Sequence, residues 1–325
     1  MSSYALRGPM APVSRRLRAY FAAVDRESGA PAIFDPAKHG AFPLDAPPAP
    51  WLDGGWIENL KRAPATRYEV LRAGAKGAPA AQLRAGLEAR VEFEFREWGK
   101  LQMALAGGSQ HMNVLAADVN ADPVPSGGSP LAPVAVQAGS SAQEIVLGQG
   151  AVDFFAVSDL VAVDVDYQQE TGYVGSGIPG AYVKDALDVL RDPHYVRRVT
   201  FNVGRVASKT ASALVLAQPL IGGAPPPGAQ AQKVIAFVDR EGGSFFPEWS
   251  ALLVREEESG GRVCFYYPRL QPAAPAQEAA YELAAPLEGC ALRAAFLALP
   301  HTDLNDNEQV LCYRSYFPAA NAAVY

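Results

Sequence analysis

Alternation is clearest between Leu87 and Phe95. There Leu87, Ala89, Val91, Phe93 and Phe95 take every second position, and Glu88, Arg90, Glu92 and Glu94 fill the others. A period of two puts the two sets on opposite sides of a strand, so the pattern predicts one buried face and one wet, acidic face. A second strand is predicted where Val161, Val163, Val165 and Tyr167 alternate with Ala162, Asp164 and Asp166, again with carboxylates on one side. Between them, Gly99 to Leu105 suits a short helix: Leu101 and Leu105 share a face, and Gly107 and Gly108 offer a left-handed stop. A longer helix is predicted over Ala181 to Arg191, where Tyr182, Val183, Ala186, Leu187 and Leu190 form a stripe and Pro193 ends it.

Further strands are expected at Val199 to Val206, Ser212 to Ala217, Val234 to Asp239, Trp249 to Arg255, Arg262 to Tyr267, Ala291 to Leu299 and Glu308 to Tyr316. Turn-rich stretches such as Gly222 to Gly228 separate several of them. Many short strands with few helices predict a mainly β, antiparallel β-sandwich or barrel with a flanking helix, not a βαβ repeat. From Met1 to Trp56 the prolines recur too often for a long helix or central strand, so residues 1–56 are read as an extended arm and 57–325 as the β core. Asp118 to Ala142, dense in Pro, Gly, Ser and Ala, is read as a long loop inserted in that core.

At 325 residues the chain is long enough to bury a sizeable core without disulfides, and its 49% hydrophobic content excludes wholesale disorder. Acidic residues outnumber basic ones by 34 to 28, a net charge of −6 with no long Lys/Arg run, which argues against tight, sequence-specific nucleic-acid binding. Cys264, Cys290 and Cys312 are odd in number and lie in largely apolar surroundings, as small buried hydrophobes of a reducing compartment do. Arg15, Arg16 and Arg18 interrupt the place of a signal-peptide core, and no stretch reaches membrane-spanning length, so synthesis in the cytoplasm and no membrane contact are expected.

Catalytic motifs fail on their spacing. Gly175-Ser-Gly177-Ile-Pro-Gly180 fits GxGxxG ahead of the Ala181 helix, but the upstream strand ends early and no acidic residue follows about 20 positions on. In the segment ending Lys209-Thr210, Val203 and Ser208 stand where a P-loop needs glycine. Asp118, Asn120 and Asp122 begin like a calcium loop, yet Pro123 replaces its turn glycine and Ser129 its bidentate Glu. Asp303, Asn305 and Asn307 fail the same test at Glu308 and Arg314. His39, His111, His194 and His301 are isolated, without HxxxH, CxxC or GxSxG. The expectation is a protein with no enzyme activity, no cofactor and no metal.

Three strings, Gly55-Trp-Ile-Glu-Asn-Leu-Lys-Arg62, Leu71-Arg-Ala-Gly-Ala-Lys-Gly77 and the stretch from Val91 to Gly108, resemble phage and prophage tail proteins, the major tail tube proteins foremost. The resemblance covers Trp56 to Leu115 and fades beyond it. It implies a β-sandwich subunit with a flanking helix that forms stacked, usually hexameric rings around a DNA channel, in a virion tail. The implied partners are further copies of the chain, other tail proteins and DNA in transient passage, with the arm and the 118–142 loop bridging rings. On this reading Glu88, Glu92, Glu94, Asp164 and Asp166 face the lumen and keep DNA mobile; alternation alone leaves outer solvent equally open. The alternative is a surface-decorating or receptor-binding β-sandwich protein of a viral particle.

Overall fold

The computed structural model describes residues 14–24, 28–64, 67–73, 77–97, 99–116, 131–165, 200–240, 248–258, 260–273, 277–279 and 291–318. In chain order β1 (Ser14–Ala23), the one-turn helix α1 (Pro36–His39), β2 (Leu52–Pro64), β3 (Arg67–Ala73), β4 (Ala78–Gly86), β5 (Ala89–Phe95) and helix α2 (Lys100–Gly107) come first. There follow β6 (Gln110–Leu115), β7 (Val134–Ala135), β8 (Glu144–Val146), β9 (Leu160–Val165), β10 (Val203–Lys209), β11 (Ala213–Leu216) and β12 (Ala229–Arg240). The last described strands are β13 (Trp249–Glu257), β14 (Arg262–Pro272), β15 (Gln277–Ala279), β16 (Ala291–Ala298), β17 (His301–Thr302), β18 (Gln309–Val310) and β19 (Tyr313–Phe317). The fold is mainly β and antiparallel.

Six strands close on themselves in the order β16, β5, β2, β1, β13, β14, with β14 pairing back to β16. Closure works because β14 changes partner along its length: Arg262–Tyr266 runs beside β19, and Leu270–Pro272 beside β16. The alternation of β5 sends Val91, Phe93 and Phe95 inward, where they meet Phe21, Trp249, Leu292 and Phe296, all buried. Phe93 stacks on Phe296 with centroids 5.6 Å apart and meets Phe95 edge-on at 5.1 Å. The interior is therefore a packed aromatic core. Helix α2 plugs one end with Leu101, Ala104 and Leu105 and stops at Gly108, whose φ of 60° is left-handed.

Part of the expected arm is also corrected. β1 lies inside residues 1–56, yet it is a central barrel strand between β2 and β13. Its two faces are both covered: Ala19 and Phe21 enter the barrel, while Tyr20 and Ala22 meet a second cluster outside. That outer cluster is made by residues 32–51, which strap across the chain's own barrel with Phe34, Phe42 and Trp51 against Tyr20 and Tyr266. Tyr20 donates to the Leu44 carbonyl at 2.7 Å and Tyr266 to that of Ala32 at 2.8 Å, so proline-rich backbone is satisfied by barrel hydroxyls.

The described strands between residues 110 and 240 form a second sheet inserted between α2 and β13, in the order β6, β12, β9, β10, β11, β8, with β7 also on β12. Its core holds Ile145, Phe155, Val161, Val163, Leu214 and Leu216. Val161 and Val163 point inward as their alternation predicts, but Ala162 packs on Leu115 and Val234 on the opposite face. Asp164 shares that covered side and is only 2% exposed, which corrects its placement on a wet face. The strand expected at Glu308 to Tyr316 is two strands, because Leu311 turns in to the barrel core between them. The Ala181 helix, the GxGxxG segment, Asp166 and the first part of the 118–142 loop lie outside the described residues.

Candidate functional site

β2 and β5 pair as far as Pro64 and Ala89, and the same antiparallel ladder resumes beyond the barrel as β3 and β4, from Arg67 opposite Gly86 to Ala73 opposite Ala78. Among the described residues β3 and β4 pair only with each other. At about 3.3 Å per residue the seven residues of β3 carry the hairpin roughly 20 Å out from the barrel rim. Every side chain of β3 is exposed, including Tyr68 at 56%, Val70 at 47% and Leu71 at 51%, and Leu83 of β4 is exposed at 51%. Such a hairpin leaves two faces and two backbone edges open, and edges of this kind are templates for pairing with another chain.

The carboxylates of β5, and Glu88 just before it, stand on the outer wall of the barrel. Glu92 accepts from Arg293 at 2.5 Å, Glu94 from Asn59 at 2.8 Å, and Glu88 faces Arg90 at 3.6 Å. A bulge in β2, with Asn59 left-handed at φ 55°, opens a cleft of about 310 Å³ lined by Lys61, Glu92, Glu94 and Arg293. Glu58 faces Arg96 nearby at 3.7 Å, so Glu58, Glu88 and Glu92 each stand within 4 Å of an arginine, and Lys61 lines the cleft beside Glu94. The wall is zwitterionic, which corrects the expected acidic face. Neighbouring cations in β2 and β16 were hidden from a pattern read along β5 alone.

A polar seam joins the second sheet to the barrel. His111 of β6, fully buried, lies directly opposite Asp239 of β12 in the register, and its Nδ1 is 2.8 Å from Asp239 Oδ1. Its Nε2 is 3.2 Å from Asn113 Oδ1, and Asn113 donates to the Thr200 carbonyl at 2.9 Å. Lys100 in the first turn of α2 donates to the same carbonyl at 3.3 Å and sits over the rings of Phe201 and Phe237. Burial pulls His111 below its ordinary value against the hydrogen bond it donates to Asp239, and pulls Lys100 well down.

An aspartate on Nδ1 of a histidine is the arrangement of a general-base pair. Here the imidazole stacks on Phe201 at 4.8 Å, its second nitrogen faces Asn113, and the ring is 0% exposed, so a substrate proton has no approach. The cluster therefore clamps the first and last strands of the insert to each other and to α2. Sequence reading found His111 only as an isolated histidine, because its partner is 128 residues away and only the β6–β12 register brings them together.

A larger, mostly apolar cleft of about 600 Å³ lies between the strap and the insert, lined by Trp51, Pro50, Phe201, Leu220 and Ile221 with Asp45 and Asn202 at its polar points. Among the described residues no group of three or more His, Cys, Asp or Glu side chains is placed to hold a metal, and no helix is long and apolar enough to cross a membrane. No protein-family model matches the chain, and the curated proteins contain no match to it.

Proposed function

We propose that the chain is a structural subunit of a phage tail or tail-like tube that assembles into stacked rings around a channel for DNA, with β3 and β4 making contact between copies. The observation that supports this is the hairpin itself. Its side chains expose Tyr68, Val70, Leu71 and Leu83, and its two strands pair with nothing else among the described residues. A two-stranded ribbon without a covered face is marginal in water, and docking on another subunit supplies the missing face.

The barrel suits such a role because its core is filled and closed, so load on the hairpin is carried into a rigid body through β2 and β5. The carboxylates Glu88, Glu92 and Glu94 contribute little to DNA repulsion on this reading, since cations share their wall. Electron microscopy and sedimentation of the purified chain test the assembly role. Rings or tubes are expected for the wild type, and compact small particles for a variant in which a two-residue Asn-Gly turn replaces residues 65–88. Compact particles from the wild type at every concentration would instead favour a decorating or receptor-binding protein.

A further inference from the structure

We infer that the hairpin docks on the acidic body of a second copy and not on a second hairpin, so that the contact is heterologous and loosened by salt. This rests on the proposed assembly role and adds which surface meets which. Between Arg67 and Gly86 the chain carries Arg67, Arg72, Lys76 and Arg84 against the single acid Glu69, a net charge of +3. The whole chain carries −6, so everything outside the hairpin sums to −9. Charge is thus segregated: a cationic ribbon projects from an anionic body.

The register shows what a partner has to supply. Tyr68 lies opposite Arg84 and Val70 opposite Gln82 on one face, while Glu69 lies opposite Leu83 and Leu71 opposite Ala81 on the other. Covering Tyr68 or Val70 therefore brings the partner within reach of Arg72, which follows them on the same face of β3. A second hairpin would offer one carboxylate against four cations and would place +3 beside +3. The body of another copy offers the opposite sign, and the free edges of β3 and β4 add backbone hydrogen bonds to the contact. A patch that binds a different patch repeats without self-cancelling, so such a contact closes into rings or runs on as a filament, whereas hairpin against hairpin stops at a dimer.

Sedimentation velocity of four proteins tests this. Wild type at 50 mM salt is expected to assemble, and at 500 mM to require at least tenfold more protein, because the screening length shortens from about 14 Å to about 4 Å. The Arg67→Glu/Arg72→Glu/Arg84→Glu chain is expected not to assemble, while Arg67→Lys/Arg72→Lys/Arg84→Lys assembles like wild type. Thermal unfolding of both triple variants establishes that the barrel is intact. The hairpin-replaced chain, unable to assemble alone, is expected to join wild-type assemblies and cap them, lowering their mean size as its share rises.

Exclusion of that variant from wild-type assemblies would overturn the inference in favour of hairpin–hairpin contact. Assembly that persists in the folded glutamate variant, or is indifferent to salt, would overturn the electrostatic reading while leaving the assembly role standing. A wild type that never assembles defeats both. If it also retained a labelled DNA duplex that the glutamate variant released, the hairpin's partner would be nucleic acid.

Discussion

Replacing Phe21 by alanine separates a barrel strand from an extended arm. Phe21 is completely buried, with ring centroids of Phe93, Phe95, Trp249 and Phe296 between 6.0 and 6.4 Å away. Truncation of a buried phenylalanine costs about 3–5 kcal/mol, of which the edge-on and tilted ring contacts supply part, each about 0.5–1.5 kcal/mol beyond area. The upper half of that range applies here. The neighbouring rings belong to strands fixed by a closed ladder, so they cannot collapse into the space left behind. At a urea dependence of about 3 kcal/mol per molar, a loss of roughly 4 kcal/mol moves the unfolding midpoint down by more than 1 M. Phe154, 69% exposed, is the control, and its alanine variant is expected within about 0.5 kcal/mol of wild type. Urea titrations followed by tryptophan fluorescence read both. A Phe21→Ala midpoint equal to that of Phe154→Ala would mean that residues 14–23 carry no core, and the barrel order derived for β1 would be refuted.

Three further outcomes are expected. Gly108→Ala should destabilise by about 1–2 kcal/mol from the left-handed backbone alone, and by more because the new Cβ would stand 2.9 Å from Pro272 Cβ; differential scanning calorimetry measures the loss, and an unchanged midpoint would sink the capping argument. The folded-state pKa of His111 lies below its unfolded value, so neutral imidazole favours the folded seam: this contribution is complete above the unfolded value near 6.5 and is lost as pH falls through the folded one. Lys100 carries the same sign, since its lowered value also makes acid unfavourable to the folded form. Amide exchange in β6 and β12, corrected for intrinsic rates, should therefore speed up between pH 7.5 and 5.5 in wild type and respond less in His111→Gln; an equal response would remove the histidine from the account. Burial pushes the Cys264 thiol up to about 12, so it should resist iodoacetamide at pH 8 until the chain is unfolded, and rapid labelling of Cys264 in the native protein would contradict its place on the face of β14 beneath the strap.

Legibility tracked how many faces of an element are buried. β5 was readable because one face enters the core and the other is wet, the condition under which selection writes a period of two. β1 has both faces covered, so its run Ala19-Tyr-Phe-Ala-Ala23 shows no alternation, and the flanking prolines argued for an arm. β3 and β4 failed for the opposite reason: with no face buried, nothing sorts their apolar from their polar positions. Asp164 was misplaced because Ala162, on its side of β9, is compatible with either a wet or a covered face. The His111–Asp239 pair depends on a register between strands more than a hundred residues apart, which no local pattern contains. The cationic excess of residues 67–86 needed no structure, only a count made in the right window, and the hairpin's limits define that window.

The hairpin is held in shape by residues that never touch a partner. β2 and β5 spend their inner positions, Ile57, Val91, Phe93 and Phe95, on the barrel core, and the ladder they form there fixes the register that β3 and β4 continue into solvent. An isolated ribbon would have to order roughly twenty residues at the moment of binding, at about 1–2 kcal/mol each for the backbone. Extending an existing ladder meets much of that cost during folding, leaving more of the contact energy for association. The same coupling implies that core and interface are not independent here. A substitution that shifts the β2–β5 register by one residue would turn Val91, Phe93 and Phe95 out of the barrel and also exchange the two faces of the hairpin, so pressure to keep the core filled preserves the docking surface at no separate expense.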